Sequence, residues 1–183
     1  VLSLYVNQLN NFSGINMKKF LFGSSDLEFS SAQLSGLTVL RVLIGWHFLY
    51  EGIAKILNPY WSSAGFLLES KWIFSGLATT IVASPSLLTF VDFINMWGLT
   101  LGGLALLIGL LERPAAVAGM ALMLIYYVFN PPLLGLEYSR PSEGSYLIVN
   151  KNLIEAAALF VVFCFPTGSI IGLDKFLVKY LKD

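Results

Sequence analysis

Residues 40–61 read LRVLIGWHFLYEGIAKILNPYW, and this stretch decides the fold. It is apolar enough to predict a membrane-crossing helix, yet it contains four ionisable side chains. At 100° per residue, His47, Glu51 and Lys55 step round the helix by about 40° each, and Arg41 falls about 40° beyond Lys55. All four therefore lie within about a third of the helix circumference.

This polar stripe has two interpretations. Ionisable groups inside a membrane cost several kcal/mol unless they pair or meet water, so the first is a ligand or proton-transfer site. In the second, Arg41 and Lys55 extend towards opposite interfaces, and His47 and Glu51 form an internal structural pair. The other face of the helix carries side chains suited to lipid or apolar neighbours, namely Leu43, Leu49, Ile53 and Ile56.

The composition is that of an integral membrane protein. Of 183 residues, 56% are hydrophobic and only 12% are charged, and the mean hydropathy is +0.75. These values lie far outside the range of soluble globular domains. The length suits one domain, the expected surroundings are the lipid bilayer, and a formal net charge of zero gives no reason to expect a nucleic-acid partner.

The single cysteine, Cys164, and the single histidine, His47, restrict redox chemistry. One cysteine cannot form an intramolecular disulfide, a CxxC pair or a zinc or iron–sulfur site. One histidine excludes bis-histidine haem ligation within the chain. We therefore expect no metal and no covalently bound cofactor; redox chemistry would use a diffusible lipid-phase cofactor or a partner's cofactor.

The order of apolar segments predicts an all-α integral membrane four-helix bundle. We expect spans at residues 32–57, 88–111, 115–130 and 146–165, with a short interfacial or re-entrant helix at 72–83. Residues 1–31 are predicted to be an N-terminal extension, 32–171 the four-span domain and 172–183 an amphipathic tail. The positive-inside rule places both termini of this multi-pass protein in the cytoplasm. Its location is expected to be a bacterial inner membrane.

Two residue pairs predict contacts between the spans. Gly98 and Gly102 form a GxxxG motif, which permits close approach of helices. Lys151 and Glu155 are four residues apart and can pair on one helix face. Because a carboxylate facing lipid would have no partner, we expect Glu155 to face the bundle interior and approach span one.

Several motifs have the order and spacing of a known membrane family. They are Arg41-x-x-x-Gly45-x-x-Phe48-x-x-x-Gly52-x-x-Lys55, NPYWS at 58–62, GLLERPAA at 109–116 and YLIVNKNLIE at 146–155. Together they resemble the DoxX/DoxD-like family over residues 34–165. The resemblance implies a four-helix membrane domain and, in the DoxD-like branch, the membrane subunit of a thiosulfate:quinone oxidoreductase. That activity also involves a DoxA-type partner region, which we do not recognise in these 183 residues.

The first functional hypothesis is therefore a quinone-linked oxidoreductase subunit. His47 is expected to donate to a quinone carbonyl and transfer a proton, with Glu51 orienting it or relaying protons. Arg41 or Lys55 would hold an anion such as thiosulfate. The remaining expected quinone- or substrate-binding residues are Trp46, Tyr50, Trp97, Lys151 and Glu155.

The second hypothesis is a non-enzymatic membrane protein. It would be a scaffold or assembly subunit that binds other subunits or further copies of itself, or a carrier of a small solute. Arg41 would then pair with Glu155, and Glu51 with Lys151, in one satisfied network. A bound lipid-like molecule or a water-filled cavity beside His47 would favour the first hypothesis, and a dry, fully paired interior the second.

Overall fold

A computed structural model describes residues 28–133, 136 and 147–180 of the chain. These residues form seven helices and no strand: α1 Ser31–Leu57, α2 Ala64–Leu68, α3 Ser75–Ala83, α4 Pro85–Ile108, α5 Glu112–Phe129, α6 Lys151–Cys164 and α7 Asp174–Tyr180. The all-α class is thus confirmed. Most of the predicted N-terminal extension, most of the loop before α6 and the last three residues lie outside the described ranges.

Three helices, α1, α4 and α5, are long and apolar enough to cross a membrane within the described ranges. Helix α1 begins with a capping box, in which Ser30 accepts from the Gln33 N–H and the Gln33 side chain accepts from the Ser30 N–H. Its 27 residues span about 40 Å, more than the hydrocarbon core requires. The chain is therefore a membrane protein, as its composition predicts.

Helix α1 packs antiparallel against α4 through glycines. A Cβ added to Gly45 would lie 3.0 Å from the carbonyl oxygen of Gly103, and one added to Gly52 would lie 2.6 Å from the backbone nitrogen of Thr100. Both distances are shorter than ordinary van der Waals contact. The two backbones therefore approach closely only because these positions carry no side chain.

The GxxxG prediction for α4 is wrong. Among the described residues, a Cβ at Gly98 or Gly102 would meet no atom within 4 Å, whereas one at Gly103 would meet the Leu49 Cα at 2.8 Å. Gly103 lies 100° round the helix from Gly102. The contact with α1 therefore uses a different face from the one that carries the motif.

Helices α5 and α6 pack antiparallel and close the other side of the core. At one end, Arg113 Nε donates to the Phe163 carbonyl oxygen at 3.0 Å. The hydrophobic core between α1, α4, α5 and α6 is formed by Ile44, Phe48, Leu99, Leu106, Ala115, Ala116, Met123, Ala156, Leu159 and Val162.

The helix in the region of the fourth predicted span is shorter than that span. Asn150 caps α6, because its Oδ1 accepts from the Leu153 N–H at 3.1 Å. The helix therefore begins at Lys151 and has 14 residues, a length of about 21 Å. It is not among the three helices that meet the length and hydropathy of a membrane span in the described chain.

The connection between α1 and α4 contains the short helices α2 and α3. It packs on the last turn of α5, where Asn130 Nδ2 donates to the Phe66 carbonyl at 3.0 Å and Ser70 Oγ donates to the Phe129 carbonyl at 2.8 Å. Helix α3 has nine residues and is too short to cross a bilayer. A short helix therefore lies within the predicted 72–83 segment, and its depth in the membrane stays a prediction.

Candidate functional site

The ionisable residues of α1 lie at two opposite ends of the helix assembly. Arg41 lies beside the turn between α4 and α5 and beside residues 166–174, which we call the closed end. His47, Glu51 and Lys55 line a cavity beside the α1–α4 connection, which we call the cavity end. The predicted polar stripe is thus divided between two environments, with Arg41 at the closed end and the other three residues at the cavity end.

At the closed end, Arg41 joins three parts of the chain. Its Nη1 lies 3.1 Å from Glu112 Oε2 and 2.8 Å from Thr167 Oγ1, and its Nη2 donates to the Ile171 carbonyl at 2.8 Å. Arg41 is 2% exposed and Glu112 1%. Removing either partner of such a buried pair would leave an uncompensated charge.

Backbone donors complete the closed end. Glu112 also accepts from the backbone N–H groups of Thr167, at 3.1 Å, and Gly168. The Asp174 carboxylate accepts from the N–H groups of Leu111 and Glu112 at 2.7 and 3.0 Å, and so caps α5. Burial raises the pKa of Asp174, and these two N–H donors only partly offset that effect.

Arg41 is therefore not a substrate-binding residue of the cavity, and its predicted pairing with Glu155 is wrong. Its terminal nitrogens are used by Glu112, Thr167 and Ile171. The physical reason is the antiparallel order of the helices, which brings the start of α5 and the segment after α6 to the first half of α1.

The cavity beside His47 has a volume of about 550 Å³, which lies within the range of small-molecule sites. Its ionisable lining residues are His47, Glu51, Lys55, Lys151 and Glu155. Its apolar walls include Phe48, Phe66, Leu99 and Met123. Five predicted site residues are thus brought together around one space.

His47 and Glu155 form a hydrogen-bonded pair in this cavity. The bond joins His47 Nδ1 and Glu155 Oε1, and the side chains are 37% and 18% exposed. The predicted approach of Glu155 to α1 is confirmed, with His47 as its partner. When Glu155 is ionised, His47 donates from Nδ1 and keeps Nε2 for exchange with a ligand or water. Glu155 Oε2 is buried and has no hydrogen-bond partner among the described residues.

Lys55 is held by two residues that the sequence analysis did not identify. Its Nζ donates to Asn95 Oδ1 at 3.1 Å, and Asn95 Nδ2 donates to the Tyr126 hydroxyl. The Lys55 ammonium also lies 5.2 and 5.8 Å from the ring centroids of Trp61 and Tyr126. Asn95 is 7% exposed. A polar residue within a membrane helix is a feature of functional positions, and this is the sequence signal that could have identified it.

Two further predictions about the site residues are corrected by the geometry. Glu51 Oε2 lies 3.7 Å from Lys55 Nζ, so Lys55 rather than Lys151 is its ion-pair partner. Three predicted ring-binding residues do not line the cavity, because their side chains lie on the outer surface, with exposures of 61% for Trp46, 63% for Tyr50 and 41% for Trp97. Within the described ranges, no group of three or more His, Cys, Asp or Glu residues could hold a metal ion.

Comparison with known proteins gives one match. The model of the family described as DoxX matches residues 36–130, which are 95 of the 183 residues and so just over half of the chain. The matched part runs from α1 to the end of α5 and contains Arg41, Lys55, Asn95 and Tyr126. No curated protein and no solved structure matches the chain.

Proposed function

This chain belongs to the DoxX family, and from that membership and the cavity beside His47 we propose that it is the membrane subunit of a quinone-linked oxidoreductase. The cavity carries the proposal, because it sets a histidine–carboxylate pair beside apolar walls. A histidine in such a pair is suited to proton transfer near neutral pH. Thiosulfate is the substrate that the family resemblance implies.

The residues of the cavity fit a quinone ring. Phe48, Leu99 and Met123 supply apolar surface for the ring, and His47 and Lys55 supply hydrogen-bond donors for its oxygens. These two residues are eight positions apart on α1, which is about 12 Å along the helix axis. The donors therefore stand at different ends of the space that a ring would fill.

When bound, a quinone accepts two electrons and two protons, and the electrons would come from the oxidised substrate. The chain's own contribution is to bind the ring and move protons. Glu155 orients the His47 ring through Nδ1, so that Nε2 can donate a proton to a ligand oxygen. Glu51, whose side chain is 45% exposed, connects the cavity with water and can return protons to it.

The proposed topology has four crossings, with α6 and its flanking residues as the fourth. Both termini and the closed end would face the cytoplasm, as the positive-inside rule predicts. The cavity would then open towards the outer side of a bacterial inner membrane. In this arrangement residues 32–171 form the membrane domain, and α7 lies at the cytoplasmic surface.

A scaffold or assembly function is the second candidate, and the closed end favours it. The network around Arg41 and Glu112 is buried and nearly fully hydrogen-bonded, which is what a purely structural device requires. The cavity end differs, since Glu155 Oε2 lacks a partner among the described residues. A scaffold protein could have a buried network at the closed end and a cavity at the other end. The experiment that separates the two functions must therefore test the residues of the cavity.

The test compares His47→Gln and Glu155→Gln with the wild type in lipid nanodiscs, together with the native partner proteins. Both variants keep a hydrogen-bonding side chain of similar size and remove proton exchange. We expect an unchanged melting temperature and a fall of about a hundredfold in electron transfer to a short-chain quinone analogue. Tyr50→Phe, on the outer surface, is the matched control and should retain full turnover.

The proton-transfer assignment fails if turnover falls only in step with the melting temperature. That result would identify the His47–Glu155 pair as a structural contact and favour the scaffold. Unchanged turnover in both variants would exclude the pair from the reaction.

A further inference from the structure

The Lys55 end of the cavity has the organisation of a binding subsite. Asn95 is 7% exposed, and its amide is fixed at both atoms, with Nδ2 donating to Tyr126 and Oδ1 accepting from Lys55 at 3.1 Å. The Lys55 ammonium is therefore held by a neutral amide in addition to its ion pair with Glu51. Such fixed positioning of a donor is typical of ligand sites.

Among the described residues, Lys55 has one ion-pair partner, Glu51, and one hydrogen-bond acceptor, Asn95. An ammonium has three N–H donors, and Asn95 accepts one of them. The Glu51 carboxylate is 3.7 Å away, beyond hydrogen-bond distance, and its side chain is 45% exposed whereas that of Lys55 is 15% exposed. Water therefore screens the charge of the carboxylate more than the charge of the ammonium. The N–H groups of Lys55 that Asn95 does not accept can donate to a ligand in the cavity.

Two aromatic rings shape the same place. The Trp61 and Tyr126 centroids lie 5.2 and 5.8 Å from Lys55 Nζ. Rings at this distance stabilise a cation without neutralising it and keep water away. An anion that entered the subsite would thus meet a partly desolvated ammonium, where a charge-assisted hydrogen bond is strongest.

The other end of the cavity disfavours an anion. There the Glu155 carboxylate is hydrogen-bonded to His47 and has one oxygen without a partner among the described residues, and like charge would repel an anion. Glu51 beside Lys55 would repel an anion less, because its side chain is 45% exposed to water whereas that of Glu155 is 18% exposed. A ligand with an ionised oxygen at one end and a neutral oxygen at the other would therefore bind in one orientation.

We propose that the Lys55 end of the cavity is a subsite for an ionised oxygen on a ring ligand, and that Asn95 is the residue that positions Lys55 for it. The ligand class is a quinone-type ring that carries an acidic hydroxyl, bound with the oxyanion at Lys55 and the opposite carbonyl towards His47. This inference rests on the proposed function and specifies the ligand of the same cavity.

The test measures binding to the full chain in nanodiscs with two probes. Lawsone, a naphthoquinone whose hydroxyl is ionised at neutral pH, is compared with the parent naphthoquinone that lacks it, and dissociation constants are read by isothermal titration calorimetry. The wild type should bind lawsone more tightly. Lys55→Gln keeps a hydrogen-bond donor but removes the charge, so it should weaken lawsone binding by roughly tenfold to a hundredfold and weaken binding of the parent compound much less.

Three further variants separate charge, positioning and folding. Lys55→Arg keeps the charge and should retain part of the preference for lawsone. Tyr126→Phe removes the hydroxyl that holds Asn95, and Asn95→Leu removes the contact to Lys55, so both should lower the preference and leave binding of the parent compound in place. Lys175→Gln removes an exposed lysine of α7 and is the control, with unchanged affinity for both probes.

The outcomes distinguish this inference from the function on which it rests. Equal affinity of the wild type for the two probes, or a preference that survives in Lys55→Gln, overturns the subsite and leaves quinone binding intact. A preference unchanged in Tyr126→Phe and Asn95→Leu removes the role of Asn95. Binding of neither probe overturns both the subsite and the quinone-linked function.

Discussion

At the scale of single residues, burial separates two kinds of ionisable side chain on one helix. Arg41 is 2% exposed and lies against a carboxylate that is equally buried, whereas the His47 and Glu51 side chains are 37% and 45% exposed. In the dry interior, loss of a counter-charge is costly, while beside a cavity water compensates for much of it. Arg41 thus stabilises the fold, and the other residues remain available to a ligand.

Glu112→Gln tests this division. The substitution keeps the shape of the side chain but removes the ion-pair partner of the buried Arg41 charge. We expect the free energy of unfolding to fall by about 3 kcal/mol or more, measured by denaturant titration in detergent. Glu51→Gln, which removes a half-exposed partner of Lys55, is the matched control and should cost less than about 1 kcal/mol. Equal losses of unfolding free energy in the two variants would contradict the assignment of Arg41 to the stability of the fold and of the cavity residues to a ligand.

The sequence identified the histidine and the charged residues of the cavity but could not identify their partners. His47, Glu51 and Lys55 follow from helical spacing alone, because they lie on one helix. Glu112 is 71 positions from Arg41, and Asn95 is 40 from Lys55. Contacts between helices depend on the rotation and offset of each helix, which hydrophobic periodicity does not determine. The predicted pairs Arg41–Glu155 and Glu51–Lys151 are therefore wrong, although Glu51, Lys151 and Glu155 line the same cavity.

At the scale of the helices, the contact between α1 and α4 explains several positions of the family motif. Gly45 and Gly52 are seven residues apart and so lie on one face, where a Cβ would meet the backbone of α4. Phe48 stands between them and is 1% exposed in the core. The glycines bring the two backbones together, and the phenylalanine fills the space beside them.

Gly52→Ala should destabilise the protein. Its new Cβ would lie 2.6 Å from the Thr100 nitrogen, so α1 and α4 must separate, and overpacking of this kind costs about 1–3 kcal/mol. Gly98→Ala, on the same pair of helices but with no atom within 4 Å of its Cβ, should be neutral or stabilising by up to about 1 kcal/mol. Thermal unfolding in detergent compares the two.

A smaller loss of stability for Gly52→Ala than for Gly98→Ala would contradict the glycine contact.

The glycines of α4 also show why the GxxxG motif did not identify the contact with α1. Three glycines lie within six residues of α4, at 98, 102 and 103, and the sequence does not indicate which of them faces α1. The start of α6 can be read from the sequence more directly. Asn150 is a favourable helix cap and lies inside the predicted span four, so it marks the residue at which the helix begins.

At the scale of the whole molecule, the closed end and the cavity end determine how the chain can sit in a bilayer. Arg41, near the start of α1, contacts Thr167 and Ile171 after α6, so both chain ends of the described part lie at the closed end. Three crossings would leave the segment after α6 on the side opposite the start of α1. The contacts of Arg41 therefore favour the proposed arrangement, in which α6 is a fourth crossing.

Single-cysteine labelling tests the proposed topology. In a Cys164→Ala background, Ser62→Cys and Lys175→Cys each place one thiol at an exposed position, the first in the α1–α4 connection and the second in α7. With four crossings and cytoplasmic termini, a membrane-impermeant maleimide added to intact cells should label the first and not the second. Labelling of both from outside would mean that α6 does not cross, and the reverse pattern would invert the orientation, so that the cavity would open to the cytoplasm.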